Sequence, residues 1–229
     1  MLPSNVSSLA TAVWPVIWTP IGAGMGLALN WLADLLHRQN PDAPIIPRRA
    51  LWLAIVTAFL FGVAAWQFGL TLRMLLTSAY VAVLILLTAT DLEQRLIPSR
   101  IILPAILFAL AAGFFANWMT WKAALLGGAV GLVFFSVAYA MAAVLYPGKI
   151  GLGMGDVTLA TFIGLAVGFP SAVVAVVLAV LLGGLVSTLL LVTRRVTLRT
   201  AIPYGPFLVV GGLVAIFWGQ AIVRWYLRM

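Results

Sequence analysis

The sequence has no cysteine and a single histidine, His37. Without cysteine there is no disulfide, no thiolate nucleophile and no cysteine-bound zinc. One histidine cannot build a His-rich metal cluster, and His37 is expected as a solvated loop residue. Acidic side chains are almost as scarce: Asp34, Asp42, Asp91, Glu93 and Asp156 complete the set of five. Charged residues make up 8% of the chain, against about 25% in a soluble globular domain. A soluble fold is therefore excluded.

Apolar residues fill the space that charge leaves, at 64% of the chain. Runs such as Met74 to Thr90 and Ser171 to Val192 carry no charged side chain and read as spanning helices. Eight spans are predicted, near residues 12–33, 50–66, 75–90, 98–116, 123–145, 157–169, 171–192 and 206–218. The fold class is all-α, a polytopic membrane protein of about eight transmembrane helices. No internal repeat and no second domain is visible, so residues 1–229 read as one membrane-embedded domain. Met1 to Thr11 has no basic residue ahead of its apolar stretch and reads as the outer flank of the first helix, not as a cleaved signal.

The formal charge of +8 is read as membrane topology and contact with anionic lipid, with no nucleic-acid partner. Nine basic residues fall in the loops after spans one, three, five and seven, leaving Arg73, Lys122, Arg224 and Arg228 on the other side. That asymmetry predicts both termini outside and the odd-numbered loops in the cytoplasm. Most tryptophans, Trp14, Trp18, Trp66, Trp118, Trp121, Trp218 and Trp225, fall near the predicted outer ends, as an interfacial belt would.

Asp91 and Asp156 then share the cytoplasmic side. Asp156 closes Gly153-Met154-Gly155-Asp156 and leads into the apolar run Val157 to Phe169. An ionisable group against hydrocarbon costs on the order of 2.5–3.5 kcal/mol on insertion scales and is a functional candidate by default. The sixth span is short: its residues reach only about 20 Å, against about 30 Å of hydrocarbon. With Pro170 at the outer surface, Asp156 is expected about 10 Å below the inner one. Gly153 and Gly155 remove side chains just before the carboxylate, so a substrate backbone can come close.

Two carboxylates in one site hold a single proton between them, because like charges a few ångströms apart do not readily both ionise. One activates a water while the protonated one polarises a carbonyl, which hydrolyses a peptide bond without cysteine, serine triad or metal. Buried aspartates also serve proton- or cation-coupled transporters. A purely structural membrane partner is a third reading.

The flanking residues discriminate. Asp91 opens Asp-Leu-Glu-Gln-Arg-Leu-Ile-Pro, ending in Ile97-Pro98, and Ile-Pro-Tyr-Gly-Pro-Phe-Leu follows near the end with Pro203, Gly205 and Pro206. With the Gly-x-Gly-Asp motif and Leu29-Asn30 in the first span, the chain resembles the type IV prepilin peptidases, membrane aspartic proteases of the GxGD class. The resemblance covers nearly the whole chain in order, and implies that Asp91 and Asp156 form the catalytic dyad. It also implies prepilin or pseudopilin precursors as partners, cut at the cytoplasmic face of a bacterial inner membrane, in type IV pilus assembly or protein secretion. The presenilin and signal-peptide-peptidase group is a weaker match, since Asp91 follows Thr90 and no Pro-Ala-Leu occurs.

Many members carry a cytoplasmic insert with paired CxxC motifs that bind zinc; here the corresponding loop, Asp34 to Arg49, is short and cysteine-free. No cofactor is expected, with S-adenosylmethionine relevant only if methyltransferase activity is retained, and that activity is expected to be weak or absent. A lysine commonly stands two positions after GxGD; here it is Thr158. Ile97, Pro98, Gly153, Gly155, Pro203, Gly205 and Pro206 are assigned to shaping the substrate site, Pro98 doubling as the start of the fourth helix. Glu93 and Arg95 read as solvated loop charges. Asp91 lies near a helix C-terminus and Asp156 at a helix N-terminus, so helix dipoles place the shared proton on Asp91 and leave Asp156 as the base.

Overall fold

The computed structural model describes residues 4–37, 44–145, 153–194 and 203–228. All regular structure among them is helical, in eight helices: α1 (Ser4–His37), α2 (Arg49–Phe68), α3 (Leu72–Gln94), α4 (Ser99–Phe115), α5 (Trp121–Leu145), α6 (Met154–Val167), α7 (Ser171–Val192) and α8 (Gly205–Tyr226). Six are long and apolar enough to cross a membrane; α4 and α6 are the shorter apolar helices. Pro41, Asp42 and the basic residues Arg38, Lys149, Arg195 and Arg199 lie outside the described residues. The chain divides into two compact units, Met1–Gln94 and Arg95–Met229.

In the first unit, α1, α2 and α3 pack against one another. Membrane helices associate closely where small residues let backbones meet. A Cβ on Gly22 would lie 2.7 Å from the Phe61 Cβ, and one on Gly26 would run into the backbone of Leu53 and Ala54. Gly24, between them, faces open space. The spacing of Gly22 and Gly26 thus lays one helical face of α1 against α2. Trp18 Nε1 donates to Ser78 Oγ at 3.0 Å and joins α1 to α3.

In the second unit, α6 is the central helix, in contact with α4, α5, α7 and α8. Phe162 is fully enclosed, and Val157, Leu159, Ala160 and the whole stretch Phe162 to Val167 are buried. This explains how a helix of 14 residues, about 21 Å long, is accommodated. Surrounded by other helices, it need not match the hydrocarbon thickness. Its crossing with α5 is backbone on backbone: a Cβ on Gly164 would strike the Gly127 carbonyl oxygen, and one on Gly131 the Ala160 carbonyl oxygen. At the far end Gly168, with φ of 69°, adopts a left-handed conformation that costs glycine little. Its N–H donates to Gly164 O at 2.9 Å, and Phe169 N–H donates to Ala123 O at 2.8 Å. The first bond closes α6 and the second ties its end to the start of α5.

Gly164→Ala is expected to lower stability by about 1–3 kcal/mol, because backbone cannot retreat from the added methyl as a side chain can. Thermal unfolding in detergent checks this; Gly24→Ala, at an open position, should leave the midpoint nearly unchanged.

Candidate active site

Asp91 belongs to the last turn of α3. The helix runs four residues beyond the predicted end of its span, so both Asp91 and Glu93 are helical. It stops where Arg95 turns left-handed, at φ of 53°. Asp91 is buried, with 6% of its surface exposed. Glu93 is buried too, which corrects its reading as a solvated loop charge. Its Oε2 accepts from Arg49 Nη1 at 2.7 Å, and its Oε1 accepts from the Ile46 N–H at 2.9 Å. Arg49, expected in a polar loop, instead opens α2 and is buried. Its Nε donates to Asn30 Oδ1 at 2.9 Å, and its Nη2 pairs with Asp34. The planar guanidinium thus serves α1 and α3 at once, a geometry that lysine's single ammonium does not offer. Arg95 is exposed as expected. His37 is not a loop residue: it ends α1, half-buried, with Nδ1 enclosed and making no hydrogen bond.

Asp156 stands in the first turn of α6, with 7% of its surface exposed. Its Oδ2 accepts from the Gly153 N–H at 2.8 Å, and its own N–H donates to Gly153 O at 3.0 Å. The N3 carboxylate so closes back on the N-cap amide, which satisfies a donor the helix leaves free and places negative charge at the positive helix end. Gly155 has a packing role: a Cβ there would come within 2.9 Å of the Ile97 Cβ. The space that the sequence left beside the carboxylate is therefore taken, on this side, by Ile97. Pro98 is the N-cap of α4, and its carbonyl accepts from Ile101 and Ile102. Thr158, in the position of the family's lysine, turns its hydroxyl back to Gly155 O at 2.8 Å.

Pro203, Gly205 and Pro206 lead into α8, with Gly205 and Pro206 in its first turn, where proline's missing N–H is harmless. The residue among them that sequence reasoning passed over is Tyr204. Its ring lies 5.7 Å from Phe135 and 6.0 Å from Phe207, and a Cβ on Gly183 would reach it at 2.7 Å. The Tyr204 phenol lies within electrostatic reach of Asp156. Proximity through the fold, not spacing in sequence, reveals it.

Residues 78–188 match the type IV leader peptidase family. The chain is 32% identical over 175 residues to a prepilin leader peptidase/N-methyltransferase of Bacillus subtilis, covering 76% of this chain and 68% of that protein. To the protein so named in Aeromonas hydrophila it is 31% identical over 204 residues, 87% of this chain and 68% of the relative. The chain belongs to the type IV leader peptidase family.

Membership makes the protein a peptidase and favours hydrolysis over ion transport. The matched segment includes both Asp91 and Asp156, and excludes Arg49 and the Pro203 to Pro206 segment. A third relative, from Pseudomonas aeruginosa, is 31% identical over 80% of this chain and 63% of its own length. The peptidase thus spans about two thirds of these relatives. No solved structure matches it. Among the described residues no group of His, Cys, Asp and Glu could hold a metal ion.

The Gly155 contact gives a paired test. Gly155→Ala is expected to cost about 1–3 kcal/mol by overpacking against Ile97. Adding Ile97→Gly, which removes the Cβ that the new methyl would meet, should recover part of that loss, so the two changes are non-additive. Unfolding midpoints of the two single variants and the double variant check the coupling.

Proposed function

We propose that this peptidase removes the leader of type IV prepilin-like precursors at the cytoplasmic face of the inner membrane, with both termini outside, and that Asp91 and Asp156 are its catalytic dyad. One observation carries the reading: these are the two buried aspartates among the described residues, each in a terminal turn of its helix. The third buried carboxylate, Glu93, is neutralised by Arg49. In the dyad, Asp156 takes a proton from water while protonated Asp91 hydrogen-bonds the scissile carbonyl. The resulting tetrahedral species collapses as a proton passes to the leaving amine, so neither metal nor covalent intermediate is required. The Gly153 amide bond to Asp156 and the helix polarity support this division of roles. A precursor with a short basic leader and a following apolar helix suits the site, because its helix can stay among apolar spans while the leader remains in water.

Asp91→Asn and Asp156→Asn should each lower leader cleavage by about 10²–10⁴-fold, the range for loss of general acid–base catalysis, while inserting and folding normally. Cleavage of a pilin precursor in detergent, with the product mapped by mass spectrometry, reads this out. Wild-type rates in either single variant would sink the dyad, and a cut on the outer side would contradict the topology.

Cleavage should also continue at an unchanged rate in excess chelator, and labelled S-adenosylmethionine should transfer little or no methyl to the new N-terminus. Activity lost to chelator and restored by zinc, or efficient methyl labelling, would overturn this part.

A further inference from the structure

The Arg49 network has a property that simple helix packing does not need. Glu93 is held by two donors from different places, the Arg49 guanidinium and the Ile46 N–H, at 2.7 and 2.9 Å. Arg49 is in turn held by Asn30 Oδ1 at 2.9 Å and by Asp34, four residues further along α1. Asn30 Nδ2 closes the ring to Asp34 Oδ2 at 3.4 Å. Three helix termini, the end of α1, the start of α2 and the end of α3, are therefore fastened to one guanidinium. Arg49 and Glu93 are both buried, so the pairing acts in an environment that screens it little.

Glu93 and Asp91 are two residues apart on α3, about 200° around the helix and about 3 Å along it. With the Glu93 carboxylate clamped on one face, the rotation and axial position of the last turn are set, and with them the direction in which the Asp91 carboxyl leaves the opposite face. A terminal turn would otherwise fray, because its carbonyls have no intrahelical partners. We infer that the Arg49–Glu93 ion pair, braced by Asn30 and Asp34, is a positioning unit that sets the orientation of Asp91 for catalysis. The inference rests on the reading of Asp91 as a catalytic aspartate. Arg49 and Glu93 act through Asp91 and need not touch substrate.

The test uses the full chain in detergent and a precursor peptide with a basic leader and an apolar helix. Values of kcat and KM, each per folded protein, are compared for wild type, Asp91→Asn, Arg49→Lys and the double variant Arg49→Met/Glu93→Gln, with unfolding midpoints alongside. The double variant leaves no buried charge without its counterion and still offers an amide oxygen to the Ile46 N–H, so it retains the fold if Arg49→Lys does not. Thr57→Ala serves as the structural control: Thr57 is fully buried in α2 and has no part in the network. Misplacement of a reacting group by about 1 Å costs on the order of a hundredfold. We therefore expect kcat to fall about ten- to a hundredfold in both network variants, with KM within about twofold of wild type. Thr57→Ala should keep wild-type kcat even where its midpoint falls as far. Positioning is overturned if Asp91→Asn is inactive while the network variants keep wild-type kcat, or if Thr57→Ala loses as much kcat as they do at an equal fall in midpoint. Cleavage retained in Asp91→Asn would instead remove the catalytic reading of Asp91, and the positioning role with it.

Discussion

A carboxylate inside an apolar helix bundle is tolerated only where something polar meets it, since the desolvation penalty of an ion amounts to several kcal/mol. Both units of this chain are organised by that constraint, and they answer it differently. In the first unit a guanidinium meets Glu93, and the helix ends of α1 and α2 converge on it. In the second unit the backbone itself meets Asp156, through the Gly153 amide and the positive end of α6. The first meets both carboxylate oxygens, one with the guanidinium and one with the Ile46 amide; the second meets one oxygen with a backbone amide. On the proposed reading of Asp156 as the base, that difference separates a carboxylate that braces from one that accepts a proton.

The central position of α6 follows from the same constraint. To hold Asp156 away from bulk water, its helix must be enclosed, and enclosure demands side chains small enough for the neighbours to close in. Gly164 meets Gly127, Gly131 meets Ala160, and Gly212 lies 3.0 Å from Ile163 when a Cβ is imagined there. These contacts make the bundle tight around a helix too short to span by itself. Its shortness and its burial are thus one design feature, not two.

The helices were legible in the sequence because long apolar runs punctuated by Pro, Gly and charge have few alternative readings. Asp91 and Asp156 were legible because acids are so rare here. Helix ends were less so: α3 and α8 continue past the last uniformly apolar residue, where hydropathy falls but hydrogen bonding does not. That continuation is why Glu93 is buried in a helix and not solvated in a loop. The partnership of Asn30, Asp34, Arg49 and Glu93 links residues up to 63 positions apart, and no local pattern encodes it. Asn30 and Asp34, one turn apart on α1, offered the only local hint of a shared polar face.

The Ile-Pro-Tyr-Gly-Pro segment shows the same limit in another form. Its prolines and glycine mark a rigid turn into α8, and the sequence conveys that much. What places the turn, however, is a side chain that α7 does not have: at Gly183 the missing Cβ leaves room for the Tyr204 ring, which Phe135 and Phe207 flank. The rigidity lies in the segment and its address lies in α7 and α5. Tyr204 reaches the neighbourhood of Asp156 only because both conditions hold, so a bulkier residue at position 183 would displace the phenol without altering any residue of the motif.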